Sequence, residues 1–500
     1  PNVLSPTVAA MTESRHRRPS LFDALLPIVV LVGLLAAAVY LYGDSASSGP
    51  NQIALLFCAG LASLIAFKNG LTWREIETAM VQGISVALGA ILILLMVGAL
   101  IGTWRLAGIV PSLIYFGLEL MNPSLFYAAA CLICAIIALS IGSSWTVAAT
   151  VGVALIGVAS GLGLSLPVAA GAVVSGAYFG DKISPLSETT NLAPAVAGSE
   201  LFEHIRLMLW TTVPSIVIAL LIFLVMGMHT DIPDTGVDRI APLLAGLESQ
   251  FHISLIHLLP LGLLLFMALK RMPALPAIFI GALVGGVWAL LFQQEAIAVQ
   301  AGVANPDWTL TLQVIWQTFF AGVTVDAGDA ALNDLLSGGG MASMMNTVWL
   351  IMCAMTFGAV MEKAGLLARL IEGLLGMVKG AAGLITATLA TCFGSNILTA
   401  DQYISIIMPG RMFREAYEKK GLAPVNLSRA LEDGGTITSP LIPWNTCGAY
   451  MQSVLLVPVT DYLFYAFFNL INPVLALAYA WLGIKVLRLT PPQAVATTPR

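Results

Sequence analysis

The chain has 500 residues, of which 58% are hydrophobic and only 10% charged, with a mean hydropathy of +0.91 and a formal net charge of −5 at pH 7. Soluble domains carry roughly 25% charged residues, so this composition excludes a soluble globular protein and requires lipid as the solvent. The charge balance by itself selects no partner, and no nucleic acid is expected.

The N-terminal stretch "MTESRHRRPS" is basic and polar; residues 1–19 read as a cytoplasmic tail with no cleavable signal peptide. Met11 has the character of a natural start, and residues 1–10 read as an expression remnant. A helix needs about 20 apolar residues to cross a bilayer core. The clearest such runs are 23–42, 50–67, 84–104, 207–228, 253–269, 273–292, 344–362 and 461–484. Short cytoplasmic loops are enriched in Lys and Arg, which orients the chain. Arg15, Arg17, Arg18, Lys68 and Arg74 lie inside, whereas the 43–50 loop holds only Asp44 and lies outside. The 229–250 loop, with Asp231, Asp234, Asp238 and Glu248 against Arg239, is external. Lys270 and Arg271 are internal, the acid-rich 293–340 insertion is external, and the bases from Lys363 to Arg429 are internal, as is the tail from Lys485.

The six cysteines (58, 131, 134, 353, 392 and 447) fall in apolar segments, and the CxxC spacing of "CLIC" is read as packing. Trp104–Arg105 and Glu362–Lys363 read as interface anchors, His204 and His257 as satisfied packing residues. The segment 364–380 has an amphipathic pattern suited to lying flat on the cytoplasmic face.

An internal repeat is expected. "GSSWTVA" from Gly142 resembles "GSNILTA" from Gly394, and Asp181 stands at the same offset from Asp433. The repeats run over about 20–228 and 253–484, joined by an external linker at 229–252. The first starts inside and ends outside; the second does the reverse. The predicted fold is an all-α polytopic membrane protein of two inverted-topology repeats, with about 10 spans plus two re-entrant hairpins, the architecture of secondary transporters. Between Lys379 and Arg411 lie 31 mostly apolar residues, too few for two crossings. They predict a hairpin with its tip at Gly394–Asn396, and residues 126–158 predict another with its tip at Gly142–Ser144.

No Asp, Glu, Lys or Arg occurs from residue 120 to 180; then "FGDKISPLSETTNLAP" (179–194) brings an acid, a base and several hydroxyls together. Its counterpart is "EDGGTITSPLIPWNT" (432–446). Gly and Pro stop a continuous helix there, so each repeat is expected to hold a discontinuous helix. Intramembrane carboxylates cost about 2.5–3.5 kcal/mol on insertion scales and mark ion pathways; Asp181, Glu188, Asp401 and Asp433 are the candidates. Burial favours a carboxyl's proton and a nearby cation favours its charge, so one group can hold either a proton or Na+. Ser143, Ser144, Thr146, Thr189, Thr190, Asn191, Asn396, Thr399, Asn445 and Thr446 offer neutral oxygens for a hard cation, with Asp181, Asp433 and Asn396 as the expected Na+ ligands. Each has a plainer reading. Asp181 pairs with Lys182 or caps the next turn, Glu188 faces cytoplasmic water, and one of Glu432 and Asp433 is a helix-end charge. The hydroxyls bond back to helix carbonyls.

"GAYFGDKISPLSETTNLAP", "GSNILTADQY" and "LEDGGTITSPLIPWNTCGAY" resemble the signatures of the NhaC-type sodium/proton antiporters, within the wider ion transporter superfamily. The resemblance covers about residues 20–485. It implies re-entrant hairpins, a scaffold and a transport domain, an elevator-like motion in a homodimer, and a site at the tips and breaks. It also implies exchange of Na+ (with Li+ a further candidate) for protons across a bacterial inner membrane, with both termini cytoplasmic and no cofactor. Some relatives exchange organic anions such as malate and lactate, or amino acids. A coupled carrier of such a substrate is therefore the alternative, with Lys182 as its charge partner. A channel or receptor fits the paired broken helices less well. An enzyme is not expected, since no HExxH, GxSxG or histidine cluster is present.

Overall fold

A computed structural model describes residues 17–489 except 43–45, 47, 231–233, 271, 326–332, 334, 335 and 377, with the side chains of 39, 234–240 and 375 also left aside. The expectations for residues 1–16, Asp44, Asp231, Arg271 and the tail from 490 lie outside the described residues, as do those for the side chains of Asp234, Asp238 and Arg239.

The described chain is helical almost throughout. Its helices are α1 (Leu21–Tyr42), α2 (Pro50–Lys68), α3 (Trp73–Leu106), α4 (Ile109–Leu120), α5 (Phe126–Ile141), α6 (Ser144–Gly161, with a π turn at Ala148–Gly152), α7 (Leu166–Ile183), α8 (Glu188–Ala197), α9 (Leu201–Met228) and α10 (Asp234–Gln250). There follow α11 (Leu259–Leu269), α12 (Ala274–Phe292), α13 (Gln294–Ala301), α14 (Trp308–Ala321), α15 (Met345–Lys363), α16 (Leu366–Gly376), α17 (Gly380–Thr399), α18 (Ile404–Lys419), α19 (Pro424–Leu431), α20 (Thr446–Leu455), α21 (Val459–Tyr462) and α22 (Phe467–Leu482). Among the described residues nine helical segments are long and apolar enough to cross a bilayer, or ten if the pair bent by 81° before α11 counts as one. The protein is a multi-pass helical membrane protein.

Local chemistry sets the helix ends. Thr72 and Glu75 form a reciprocal capping box at the start of α3: the Glu75 N–H donates to the Thr72 hydroxyl, and the Thr72 N–H donates to the Glu75 carboxylate at 2.8 Å. At 34 residues α3 is about 51 Å long, longer than a bilayer core, and α2, α12 and α15 pack along it or beside one another. On the other side α5 and α7 pack tightly because Gly176 and Gly180 lie against backbone. A Cβ at Gly176 would meet the Cys131 carbonyl oxygen at 2.0 Å, and one at Gly180 the Ala135 carbonyl oxygen at 2.3 Å. Small residues four apart let membrane helices approach in this way. A second, smaller apolar core joins α8, α17, α18, α19 and α22.

The first hairpin lies where expected. α5 ends on Gly142 in the left-handed conformation (φ 75), and Ser143 caps α6. The second does not. Gly394–Asn396 lies inside the unbroken helix α17, and the chain reverses at Ala400 (φ 56), after which the Asp401 carboxylate accepts the Ile404 N–H at 2.9 Å. One glycine in a helix costs only about 1 kcal/mol. Asn396 meanwhile is held by bonds from its Nδ2 to the Gly435 carbonyl and the Thr438 hydroxyl, so nothing forces a break there.

This moves the register of the two halves. Gly142 matches Ala400 (400 − 142 = 258), not Gly394, and the same difference of 258 relates Ser143 to Asp401, the start of α7 (166) to that of α19 (424), and the caps Ser187 and Asn445. At that spacing Asp181 falls opposite Ser439 rather than Asp433.

Other expectations change with packing. Trp104 and Arg105 are buried rather than interfacial. The Trp104 indole donates to the Gly281 carbonyl at 3.0 Å and the Arg105 guanidinium to that of Ser337, because α12 and the chain before α15 cover this part of α3. The amphipathic segment forms α16, but Leu366, Leu367 and Ile371 are buried in the protein. All six cysteines are free and buried.

Candidate functional site

Two discontinuous helices carry the polar residues. α7 stops at Ile183 and the chain resumes as α8, whose first turn is capped by Ser187. α19 runs into a π turn at Glu432–Thr436, then a 3-10 turn at Ser439–Leu441, and resumes as α20 behind Asn445. A π turn bulges a helix and is common at functional sites.

At the first tip, the Asp181 carboxylate accepts the Ser144 N–H at 3.1 Å and the Ser144 hydroxyl at 2.7 Å. It is therefore bound to the N-terminus of α6, which favours negative charge. It does not pair with Lys182, and its side chain also lies against Ser187, the cap of the next turn. Ser143 and Thr146 share a hydroxyl contact of 3.0 Å beside it.

Lys182 points the other way. Its ammonium forms an ion pair with Asp433, both side chains having 0% exposure. The Asp433 carboxylate also accepts Asn472 Nδ2 at 2.8 Å and lies 3.3 Å from the Thr211 hydroxyl. Glu432 is fully buried too, so neither acid is an exposed helix-end charge. His204 is buried as expected, but both ring nitrogens lack a hydrogen-bond partner, as does Arg429 Nη2; His204 feels the charges of Lys182 and Arg429.

A third group gathers around Asn396. Asn445 Nδ2 donates to the Asn396 side-chain and backbone oxygens at 3.1 and 3.2 Å, and the Thr446 N–H donates to the Ala400 carbonyl at 2.8 Å. Asn396 in turn reaches the Gly435 carbonyl on the π turn that holds Asp433. Trp145 stacks on Tyr450 (centroids 4.1 Å apart), whose hydroxyl donates to the Trp145 carbonyl, tying the first hairpin to the second broken helix.

Not every candidate joins these groups. Thr190 donates back to the Lys182 carbonyl at 2.9 Å and Thr399 to that of Ser395 at 2.9 Å, closing helix ends. Thr189 is buried against Ser187. Asn191 is exposed and serves the loop, donating to the Pro185 and Ser187 carbonyls. Glu188 is exposed and accepts the Tyr403 hydroxyl at 2.5 Å. Asp401 is buried as a helix cap. Thr211 and Asn472 escaped sequence reasoning. The available signal was a polar residue within an otherwise apolar span, as in "FFNLINPVLALAYAW".

No group of three or more His, Cys, Asp and Glu among the described residues is arranged to hold a resident metal. The oxygens here come instead from carboxylates, amides and hydroxyls. Apolar spans enclosing broken helices and a buried charged core define a membrane transporter. The chain belongs to the Na+/H+ antiporter family, of the NhaC type: the family's sequence profile matches residues 176–484. The chain is similar to the Na+/H+ antiporter NhaC of Alkalihalophilus pseudofirmus (38% identity over 87% of this chain and 91% of that protein). It is also similar to the malate-2H+/Na+-lactate antiporter of Bacillus subtilis (34%, over 93% and 96%) and to the arginine/ornithine antiporter ArcD of Halobacterium salinarum (36%, over 94% and 94%).

Proposed function

We propose that the protein exchanges Na+ for protons across a bacterial inner membrane by alternating access. The observation that carries this reading is the buried ion pair between Lys182 on the first broken helix and Asp433 on the second. Separating two buried charges is costly unless another charge replaces one of them. A cation arriving beside this pair offers that replacement, so cation binding and a change in the contact between the two halves become one event. Asp181, held by Ser144 at the hairpin tip, and Asn396, bonded to Asn445, supply the neighbouring oxygens in this reading. In this reading the halves are inverted repeats, about 20–228 and 253–484, and the movement is elevator-like within a homodimer, as the family resemblance implies. Both termini are cytoplasmic.

A second reading, coupled transport of a small organic anion or amino acid, is favoured by one feature. Arg429 Nη2 and both His204 nitrogens are buried without partners, and a carboxylate would accept from Arg429 and from the one N–H of a neutral His204. Lys182, expected to serve such a substrate, is already engaged by Asp433.

The test is proton flux in proteoliposomes. A pH gradient is imposed and Na+, Li+, K+, malate, lactate and amino acids are added singly. Saturable collapse by Na+ alone supports the first reading; a requirement for an organic solute supports the second.

A further inference from the structure

Of the buried carboxylates at the centre of this protein, all but one are accounted for. Asp181 accepts two hydrogen bonds from Ser144. Asp433 has Lys182, Asn472 and Thr211. Asp401 caps α18. Glu432 has nothing comparable. Its residue exposure is 0%, and neither carboxylate oxygen makes a hydrogen bond of ordinary geometry. The hydroxyl of Thr436, one turn further along, faces this carboxylate but likewise makes no hydrogen bond of ordinary geometry.

A buried polar group without a partner is costly, and a buried charge far more so. Native proteins satisfy nearly all such groups, so an exception calls for an explanation, and a bound ion is one. The π turn explains how the exception arises. The extra residue in the turn lets consecutive acids face different neighbours: Asp433 turns to Lys182 and Asn472, while Glu432 lies near Cys392 of α17. Gly434 lets α17 approach closely, since a Cβ there would stand 3.0 Å from the Cys392 Cβ. Two more hydroxyls of α17, those of Thr391 and Ser395, are also buried without partners, one residue before Cys392 and three after it. The stretch thus holds a carboxylate and hydroxyl oxygens with unused lone pairs, and Lys182, whose charge reaches Glu432, is committed to Asp433.

We propose that Glu432 and Thr436 form a monovalent-cation site, with Glu432 the carboxylate that receives Na+. This rests on the antiport reading and deepens it. Carboxylate and hydroxyl oxygens are the ligands a hard cation prefers. The site sits beside the Lys182–Asp433 pair, so an added charge acts directly on that pair: Glu432 lies within the fields of Lys182, Asp181 and Asp433.

The experiment is direct measurement of 22Na+ binding to purified protein at fixed pH, for wild type, Glu432→Gln, Glu432→Asp and Thr436→Val, with a melting curve for each. The expected result is a loss of Na+ affinity of about tenfold or more in Glu432→Gln, a smaller loss in Thr436→Val, and an altered preference between Na+ and Li+ in Glu432→Asp. Wild-type affinity in a folded Glu432→Gln protein overturns the site. If Glu432→Gln does not fold, unchanged affinity and selectivity in both Thr436→Val and Glu432→Asp overturn it equally. Absence of Na+ binding in the wild type, by contrast, defeats the antiport reading itself.

Discussion

Lys182 forms its ion pair not with its neighbour Asp181 but with Asp433, 251 residues further along the chain, and both side chains are sealed from solvent. The last turn of α7 thereby holds two opposite charges that look in different directions, Asp181 toward the first hairpin tip and Lys182 toward the second broken helix. The pair joins the two halves of the protein at the point where each helix is interrupted.

Removing one partner leaves the other buried and uncompensated. Asp433→Asn is expected to lower stability by about 3–5 kcal/mol and to abolish Na+-driven proton flux. The double replacement Lys182→Met with Asp433→Leu is expected to recover most of the stability but no flux. Melting curves and flux in proteoliposomes check both, and wild-type flux in Asp433→Asn removes the pair from the mechanism.

At the first tip, Ser144→Ala deletes one bond to the Asp181 carboxylate, a loss of about 1.5–3 kcal/mol for a bond to a charged group. Transport is expected to fall in Ser144→Ala and to vanish in Asp181→Asn, with the fold retained. Flux at wild-type rate in Asp181→Asn contradicts this.

The second hairpin yields a sharper contrast. Gly394 is in a helix interior with nothing within 4 Å of a Cβ placed on it. Gly394→Ala is therefore expected to stabilise by about 0.5–1 kcal/mol and to keep transport. Gly180→Val, which drives a side chain into the Ala135 carbonyl, is expected to cost at least about 1–3 kcal/mol. A Gly394→Ala protein that is stable but inactive would restore Gly394 as a tip.

The proposed orientation is open to labelling. All six native cysteines are buried, so background is low. An impermeant thiol reagent added outside whole cells should label Asp307→Cys and spare Lys68→Cys and Lys270→Cys; the opposite pattern reverses the orientation.

Much of this was legible in the sequence because it depends on local composition. The apolar runs, the first hairpin turn at Gly142 and the polar interruptions after Gly180 and Leu431 follow from hydrophobicity, glycine and proline, whose preferences act within a few residues. The expected hairpin tip of the second half was not legible. "GSNILTA" looks like "GSSWTVA", yet the first folds as a continuous helix, since Asn396 finds a partner on the π turn and Asp401 supplies the cap five residues later.

Sequence alone determined that this is a helical membrane protein with two broken helices and a run of candidate oxygens at each break. Tertiary structure decided which of those oxygens have partners. It paired Lys182 with Asp433, gave Asp181 to Ser144, turned Asn191 outward and left Glu432 facing only the Thr436 hydroxyl. The division has a physical basis. Hydrophobicity and helix breaking are properties of neighbouring residues, whereas compensation of a buried charge depends on groups brought together from helices far apart in the chain.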